Sequence, residues 1–307
     1  MEKKVFSETR EALEKLGLPG SDLYELPTSE QTFPDGCQYR IEVPTINSDQ
    51  AMESLLKTSE KLDLVINRID ETRGIMRHTD EEIESMVELA QSYELELNMS
   101  HGPRAKYDTS ATWRTEMGSW VAYRLRGVEQ IVRAVEDIKR AIEFGVRGFL
   151  VYDVGFLWVL DQLRADEYIP KSTRFKLSAH CGHGNPASFK VLSDLGADSV
   201  NPTRDLQLPM IAALRQTVDI PIDVHCDNPP SSGGFIRTLE APEMARIGAP
   251  IHLKCGNSAV TSHGIPTTSE EGVEMAKQAH LVQQAVERYY PEAKQSEPGA
   301  EDQAIPV

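Results

Sequence analysis

Apolar and polar residues alternate in eight short segments of the chain, and each segment ends close to polar residues. Because neighbouring side chains on a β-strand point to opposite faces, an alternation with a period of two predicts strands. The predicted strands cover 38–45, 63–70, 95–102, 148–155, 175–182, 198–205, 221–228 and 250–257.

Most of these strands are followed by a segment with the period of an α-helix. Thr79 and Glu82 form the pattern of a capping box at the start of a helix over 79–93. Eight alternations of strand and helix predict a (β/α)8 TIM barrel, whose functional site lies at the carboxyl ends of the strands. A doubly wound open sheet is the competing fold, but the chain has neither a GxGxxG motif nor a P-loop. The other predicted helices cover 49–61, 127–145, 155–166, 186–195, 206–217, 240–248 and 269–290.

The same patterns suggest how the chain is organised around the barrel. Residues 1–37 are expected to form an N-terminal helical extension, and residues 38–290 the barrel itself. Residues 103–127 form an insertion after the third strand, and a long insertion at this position is expected to cover the mouth as a lid. The polar composition of 291–307 predicts a disordered tail.

Three predicted strands end in a polar residue followed at once by a cysteine. On each strand the residues of the cysteine's parity are apolar, and those of the other parity are polar. The outer face of a barrel packs on the helices and must be apolar. The polar members are therefore predicted to point into the barrel, and the thiols to lie beneath the helices. The pairs are His180 with Cys181, His225 with Cys226, and Lys254 with Cys255.

Parity on the other strands predicts an unusually polar interior. Arg40 and Lys176 are expected to neutralise Glu96 and Asp223 in a lower layer, which would make that layer a structural ion-pair network. The residues predicted to converge near the mouth are Glu42, Asp153, His180, His225, Asp227 and Lys254. Asn67 and Asn201 are also predicted to face inward.

The residues near the mouth permit more than one kind of chemistry. His180 and His225 with a carboxylate from Glu42 or Asp153 form a ligand set for a divalent metal, although such histidines are often simply hydrogen bonded. Lys254 is placed either to form a Schiff base, with its pKa lowered by nearby cations, or to hold an anion. Without a metal, His180 or His225 is the best general acid or base because imidazole titrates near neutral pH.

An anionic substrate, a carboxylate or a phosphate, is predicted from the loops that follow the strands. The loops over 228–237 and 256–264 are rich in Gly and Ser, as are the phosphate sites of many barrels. Arginines are also concentrated near the mouth, and the alternative is that they pair with acids on the rim. The predicted substrate-binding residues are Arg68, Asn201, Arg204, Ser232, Gly233, Gly234 and Asn257.

Composition excludes several partners. A formal net charge of -16 argues against nucleic acid, since neutralising phosphates requires a basic surface. No apolar run reaches the roughly 18 residues of a membrane span, and the N-terminus lacks the pattern of a signal peptide, so a cytoplasmic protein is expected. Four cysteines without CxxC spacing predict reduced thiols. Barrels of this kind often associate, which leaves a homo-oligomer open.

The segment GADSVNPTRDLQLPMIAALRQTVDIPIDVH, 196–225, resembles the peptidase U32 family, in which a strand ending in Arg-Asp-Leu or Arg-Glu-Leu leads through a helix to a strand ending in histidine. The matching residues are Arg204, Asp205 and His225. The resemblance implies a barrel-like α/β domain in a family that includes proteins described as collagenase-like peptidases and others that act in RNA or quinone hydroxylation. The family's downstream cysteines are missing between Cys226 and Cys255, so no iron–sulfur cluster is expected.

The sequence as a whole predicts a barrel enzyme, similar to the U32 family, that acts on a small anionic substrate by lyase or hydrolase chemistry. His180 and His225 are the expected acid–base or metal groups, and Arg204 and Lys254 the residues that hold the anion. The alternatives are a metal-dependent peptidase of the U32 type and a non-catalytic binding subunit.

Overall fold

Eight parallel strands close into a barrel in a computed structural model that describes residues 5–107 and 111–307. Each strand pairs with the next along the chain, and β8 pairs with β1 to complete the circle. The predicted (β/α)8 barrel is therefore confirmed. The strands are β1 (Tyr39–Pro44), β2 (Arg68–Asp70), β3 (Glu96–Ser100), β4 (Gly148–Val151), β5 (Arg174–Leu177), β6 (Ser199–Val200), β7 (Ile222–His225) and β8 (Ile251–Lys254).

Helices surround the barrel and connect successive strands. The capping box predicted at the start of α3 is present, because Thr79 accepts a hydrogen bond from the backbone of Glu82 and the Glu82 side chain accepts one from the backbone of Thr79. The helices are α1 (Ser7–Lys15), α2 (Asp49–Leu62), α3 (Asp80–Ser92), α4 (Gly127–Glu143), α5 (Val154–Ala165), α6 (Pro186–Asp194), α7 (Leu208–Arg215), α8 (Ala241–Gly248) and α9 (Ser269–Tyr289). No helix among the described residues combines the length and the apolar character needed to cross a bilayer.

The apolar core lies between the barrel and the helices, where the outward side chains of the strands pack. Cys181, Cys226 and Cys255 all belong to this core, so the prediction for the thiols is confirmed. Burial raises the pKa of each of these thiols, that of Cys181 to about 12. The three cysteines are therefore small buried apolar groups rather than thiolates.

The described part of the insertion after β3 contacts the segments that follow β4 and β5. It contains short 3-10 turns at Ala105–Tyr107, Thr112–Arg114 and Met117–Val121, while residues 108–110 lie outside the described part of the chain. Near its end, Arg124 donates hydrogen bonds to the backbone carbonyl oxygens of Tyr152 and Cys181. These contacts join the end of the insertion to the residues that follow β4 and β5.

The C-terminal segment differs from the expected disordered tail. Gln38 donates its amide hydrogen to the Lys294 carbonyl, and Asp302 accepts two hydrogen bonds from the buried guanidinium of Arg40, at 2.6 and 3.0 Å. Ala304 is buried as well. The segment is polar, but the barrel supplies hydrogen-bond and charge partners for it, and no local pattern in the sequence reveals those partners.

Candidate active site

A network of buried charges fills the lower half of the barrel. Arg68 lies with Nε 2.8 Å from an oxygen of Glu96 and with an Nη 3.0 Å from an oxygen of Asp223. The structure thus places Arg68 inside the barrel, neutralised by acids, and not among substrate-binding residues at the mouth. Asn67 was expected to face inward, but the residues of the other parity, Arg68 and Asp70, do so. The Asn67 side chain instead bonds to the backbone of Ile41 and Ser296. Arg40 was expected to pair with Glu96 or Asp223, but it pairs with Asp302.

Above this layer, two carboxylates hold two ammonium groups. Oδ2 of Asp70 lies 2.9 Å from Nζ of Lys176 and 2.8 Å from Nζ of Lys254. Glu42 contacts both lysines through Oε1. Burial, reinforced by the charge of Asp70, raises the pKa of Glu42 to about 7. Burial also acts to raise the pKa of Asp70, but the two ammonium groups outweigh it and hold that pKa well below its usual range.

Lys254 remains an ammonium in this environment. Burial alone would lower its pKa, but the carboxylates of Asp70 and Glu42 overcome that effect and raise the pKa above the ordinary lysine value. The sequence-based expectation of a lowered pKa is therefore wrong. A lysine that keeps its proton is unsuited to attack a carbonyl, so the structure favours the alternative in which Lys254 supplies positive charge.

Immediately above the two lysines lies a cavity of about 20 Å³ at the mouth of the barrel. This volume is close to that needed by one water molecule, so the cavity is too small for a substrate in this structure. The side chain of Tyr123, from the insertion, stacks on His180 at 4.2 Å and on Tyr152 at 5.0 Å between ring centroids. The lining residues are Pro44, Thr45, Asp70, Thr72, Leu150, Tyr152, Ser178, His180, Asn201, Arg204, His225, Lys254 and His263.

His225 is the last residue of β7 and faces this cavity beside Lys254. It is 3% exposed, and its Nδ1 has no hydrogen-bond partner among the described residues. Burial, together with the nearby charges of Lys254 and Arg204, holds the pKa of His225 well below 6.5. At neutral pH the imidazole is therefore uncharged and able to accept a proton.

Arg204 joins two further histidines at the mouth. Its Nη2 donates to Nε2 of His180 at 3.2 Å and lies 3.4 Å from Nε2 of His263. Within the described part of the chain, no carboxylate lies within ion-pair distance of this guanidinium, and its Nε has no partner. A largely buried cation without a counter-ion is a favourable place for an anion.

His180 and His263 reach the mouth from segments that follow strands, where strand alternation does not apply. β5 ends at Leu177, and His180 is carried by the following 3-10 turn, Ala179–Cys181. His263 lies in the loop after β8, where its Nδ1 is 3.2 Å from Oγ1 of Thr45. Sequence reasoning selected that loop for its Gly and Ser content and missed the histidine, although a histidine in a mouth loop is itself a signal for acid–base or anion chemistry.

Asp153 does not enter the cavity as a catalytic group. One of its carboxylate oxygens accepts the backbone hydrogen of Phe156 at 3.0 Å and caps α5, and the other accepts the backbone hydrogen of Leu125 at 3.2 Å. Asp153 therefore fastens the end of the insertion to α5. Asn201 does line the cavity, and its amide donates to the backbone oxygen of Asp223 at 2.6 Å.

The Gly- and Ser-rich loop after β7 does not form the predicted anion site. The amide hydrogens of Ser232 and Gly234 are donated to the carbonyl of Pro229, and that of Gly233 to Pro230. None of the three predicted residues lines the mouth cavity. Their backbone donors are used within the turn, so they are not available to a phosphate.

Asn257 supports the cavity from outside. Its side-chain oxygen accepts a hydrogen bond from Oγ1 of Thr45 at 2.7 Å, and it does not line the cavity itself. Thr45 has a positive φ of 66°, which is costly for a β-branched residue. Asn257 thus holds a strained cavity residue in place and is not a direct ligand for the substrate.

The predicted metal ligands Glu42, His180 and His225 are not brought together as a set of three. Among the described residues, the group whose donor atoms all lie within 4.8 Å of one another is Glu42, Asp223 and His252. Arg68 and Lys176 contact both carboxylates of that group. Because these cations already satisfy the carboxylate oxygens, the donor set does not fit a divalent metal.

No protein-family model matches the chain, and no curated protein matches its sequence. Among solved structures, a U32 peptidase is similar at 15% identity over 66% of this chain and 74% of its own, with a TM-score of 0.42. A structure described as native KDPGal is similar at 12% identity over 85% of this chain and 98% of its own, with a TM-score of 0.48. A truncated 3-deoxy-D-arabino-heptulosonate 7-phosphate synthase from Thermotoga maritima is similar at 12% identity over 84% of this chain and 90% of its own, with a TM-score of 0.47. At such identities the resemblance to the U32 peptidase is one of fold, and it is distant.

Proposed function

We propose that the chain is an enzyme that moves a proton on a small anionic substrate, a carboxylate or a phosphate, bound at the mouth of the barrel. The observation that supports this most directly is the uncharged imidazole of His225, which lines the mouth cavity together with the cations Lys254 and Arg204. A neutral base next to positive charge is the arrangement needed to remove a proton from carbon or oxygen and to stabilise the resulting anion.

Arg204 is the residue proposed to bind the substrate's anionic group. Its guanidinium lies in a largely buried position where its hydrogen-bond partners are the imidazoles of His180 and His263. An incoming carboxylate or phosphate would supply the counter-charge that no carboxylate among the described residues provides. Such a charge-assisted hydrogen bond is stronger than a neutral one.

Lys254 is proposed to stabilise the charge that develops during the reaction. Its ammonium is fixed by Asp70 and Glu42 below the cavity and lies beside His225. When His225 accepts a proton from the carbon next to a carbonyl, the electron pair moves onto the carbonyl oxygen, and a fixed cation lowers the energy of that enolate. Proton removal of this kind is the first step of many lyase and isomerase reactions.

The insertion must move for a substrate to enter. A cavity of about 20 Å³ has no room for a carboxylic acid, and Tyr123 of the insertion stacks on His180 and Tyr152, which line it. Closure of this kind excludes water and strengthens the electrostatic contacts within a site. The structure corresponds, in this proposal, to the closed state of the enzyme.

Proton exchange in D2O tests the proposal whatever the final product of the reaction is. A panel of short 2-oxo acids, 2-hydroxy acids and their phosphate esters is incubated with the protein, and the loss of C–H signals is followed by proton NMR. We expect exchange with at least one acid, its loss in His225→Gln, and its retention in His280→Gln, a matched change on α9 remote from the mouth.

The two alternatives, a binding subunit and a hydrolase, are distinguished by adding a thermal-unfolding assay and a peptide-cleavage assay to the exchange experiment. A ligand that raises the unfolding temperature but exchanges no proton would indicate a binding subunit and contradict the enzyme proposal. Cleavage of peptides that is lost in His225→Gln, with no exchange on any acid, would indicate the hydrolase alternative. Exchange that persists in His225→Gln would remove His225 from the role of base.

A further inference from the structure

His180 and His263 both contact the guanidinium of Arg204, and the chemistry of that group fixes the direction of the two hydrogen bonds. Nη2 of Arg204 lies 3.2 Å from Nε2 of His180 and 3.4 Å from Nε2 of His263. A guanidinium has donors only, so each Nε2 accepts and carries a lone pair instead of a hydrogen. Both imidazoles are therefore uncharged and carry their hydrogen on Nδ1.

The partners of the two Nδ1 atoms agree with this tautomer. Thr45 donates its one hydroxyl hydrogen to Asn257 at 2.7 Å, so its oxygen accepts from Nδ1 of His263, 3.2 Å away. Oγ of Ser178 lies 3.3 Å from Nδ1 of His180 and also accepts the backbone hydrogen of that residue. A hydroxyl oxygen can accept a second hydrogen bond. Both rings are thus fixed with their Nε2 lone pairs toward the guanidinium.

A ligand that binds to Arg204 meets both lone pairs, because Arg204, His180 and His263 all line the mouth cavity. Arg204 and His180 are also partly exposed. An anion that takes over the hydrogens of the guanidinium brings its negative oxygens toward the two Nε2 atoms. Oxygens that only accept would repel these lone pairs and deprive them of their donor. An anion that also carries a hydroxyl hydrogen replaces the donor that it displaces.

We infer that the mouth binds an anionic group that carries its own hydroxyl donor, as a singly protonated phosphate monoester or a 2-hydroxy carboxylate does. The negative oxygens accept from Arg204, and the hydroxyl donates to Nε2 of His180 or His263. A phosphate monoester can keep this hydrogen because its second pKa is about 6, whereas a sulfate ester has no such hydrogen near neutral pH. The inference rests on the proposed function in taking the mouth as the substrate site, and it adds the hydroxyl that the substrate must carry.

Calorimetric titration of the full chain with two matched pairs of anions tests the inference. Singly protonated methyl phosphate has the shape and charge of methyl sulfate, and glycolate has those of propionate, but only the first member of each pair carries the hydroxyl. At pH 7.0 we expect methyl phosphate or glycolate to bind with one site per chain, and about tenfold or more tightly than its matched anion, as for one hydrogen bond in a buried site. The pair that discriminates identifies whether the hydroxyl belongs to a phosphate or lies beside a carboxylate.

A change at His263 tests whether the imidazoles cause the selectivity. His263→Leu removes one acceptor and should reduce the ratio of the two affinities about threefold or more. His280→Leu, a matched change on α9, should leave the ratio unchanged. The wild-type protein provides a readout that does not require a variant to fold. In the free protein, the imidazole nitrogen resonances of His180 and His263 should show a hydrogen on Nδ1 and none on Nε2.

Several results would overturn the inference. They are equal affinities within both pairs, binding of neither methyl phosphate nor glycolate at millimolar concentration, an unchanged ratio in His263→Leu, and a hydrogen on Nε2 of both histidines in the free protein. Failure of the inference differs from failure of the proposed function. Equal affinities together with proton exchange would refute the inference alone, whereas selective binding without exchange on any acid would refute the enzyme proposal alone.

Discussion

His225 and Lys254 are direct partners across β7 and β8, yet the barrel drives their protonation in opposite directions. Burial and neighbouring cations lower the pKa of the imidazole, whereas Asp70 and Glu42 overcome burial and raise the pKa of the ammonium. The result is a neutral base and a permanent cation side by side. Two groups whose environments separate their pKa values in this way are typical of acid–base sites.

The first prediction concerns the carboxylate that maintains the charge of Lys254. Asp70→Asn removes a counter-ion from two buried ammonium groups and should lower the free energy of unfolding by about 3 kcal/mol, as breaking a buried ion pair does. Urea unfolding at pH 7.5 measures the change. Glu53→Gln removes the exposed Glu53–Lys57 pair and should cost less than about 1 kcal/mol. Equal effects of the two changes would contradict the view that the buried network is structurally important.

The second prediction separates stability from binding at Arg204. Arg204→Met replaces a largely buried guanidinium that has no carboxylate partner among the described residues, so the free energy of unfolding should rise by about 1 kcal/mol. The same change should abolish binding of small carboxylates at the mouth. Urea unfolding and calorimetry with the acid identified by proton exchange provide the two readouts. A variant that is less stable, or that still binds the acid, would argue against Arg204 as an anion site.

The third prediction is a pH dependence due to His101. This imidazole is fully buried, and burial, with a contribution from Arg104, lowers its pKa to about 3. The unfolded chain binds a proton near pH 6.5 that the folded chain does not bind, so the stability due to His101 is complete above pH 6.5 and is lost as the pH falls.

His101→Gln provides the comparison, because glutamine can still accept the 3.4 Å hydrogen bond from the backbone of Tyr152. The stability advantage of the wild type over this variant should shrink by about 1.4 kcal/mol per pH unit between pH 6 and pH 4. Taking the difference cancels the opposite contribution of Glu42, whose raised pKa is common to both proteins. A difference independent of pH would show that His101 titrates normally in the folded state.

How far the sequence predicts this site depends on where regular strands end. Alternation agrees with the structure for His225 and Lys254 because both lie within paired strands. It fails for β2, where it predicts that Asn67 faces inward while the structure places Arg68 and Asp70 inside the barrel. For His180 the predicted position is right but the reason is not, because β5 ends at Leu177 and a 3-10 turn carries the histidine. Hydrophobic pattern reports which face of a strand is buried, but it does not report the residue at which pairing stops.

The remaining differences involve partners that are distant in sequence. His263 approaches Arg204 only because the loop after β8 folds back over the mouth. Asp153 has the residue type and position of a catalytic acid, but its oxygens are occupied by the start of α5 and the end of the insertion. A carboxylate at a strand end can accept hydrogen bonds from several nearby backbone N–H groups. The hydrophobic periodicity of the sequence does not show which of these bonds form.

The last prediction tests the ordered C-terminal segment, which composition alone assigned to disorder. Arg40 is 1% exposed, and its guanidinium donates two hydrogen bonds to the carboxylate of Asp302. Asp302→Asn should therefore lower the free energy of unfolding by about 3 kcal/mol, because it leaves a buried guanidinium with a weaker partner. Glu301→Gln, an exposed neighbour, should change it by less than about 0.5 kcal/mol. If the segment were disordered, the two variants would have the same stability as the wild type, and hydrogen exchange of residues 294–304 would be as fast as in an unfolded peptide.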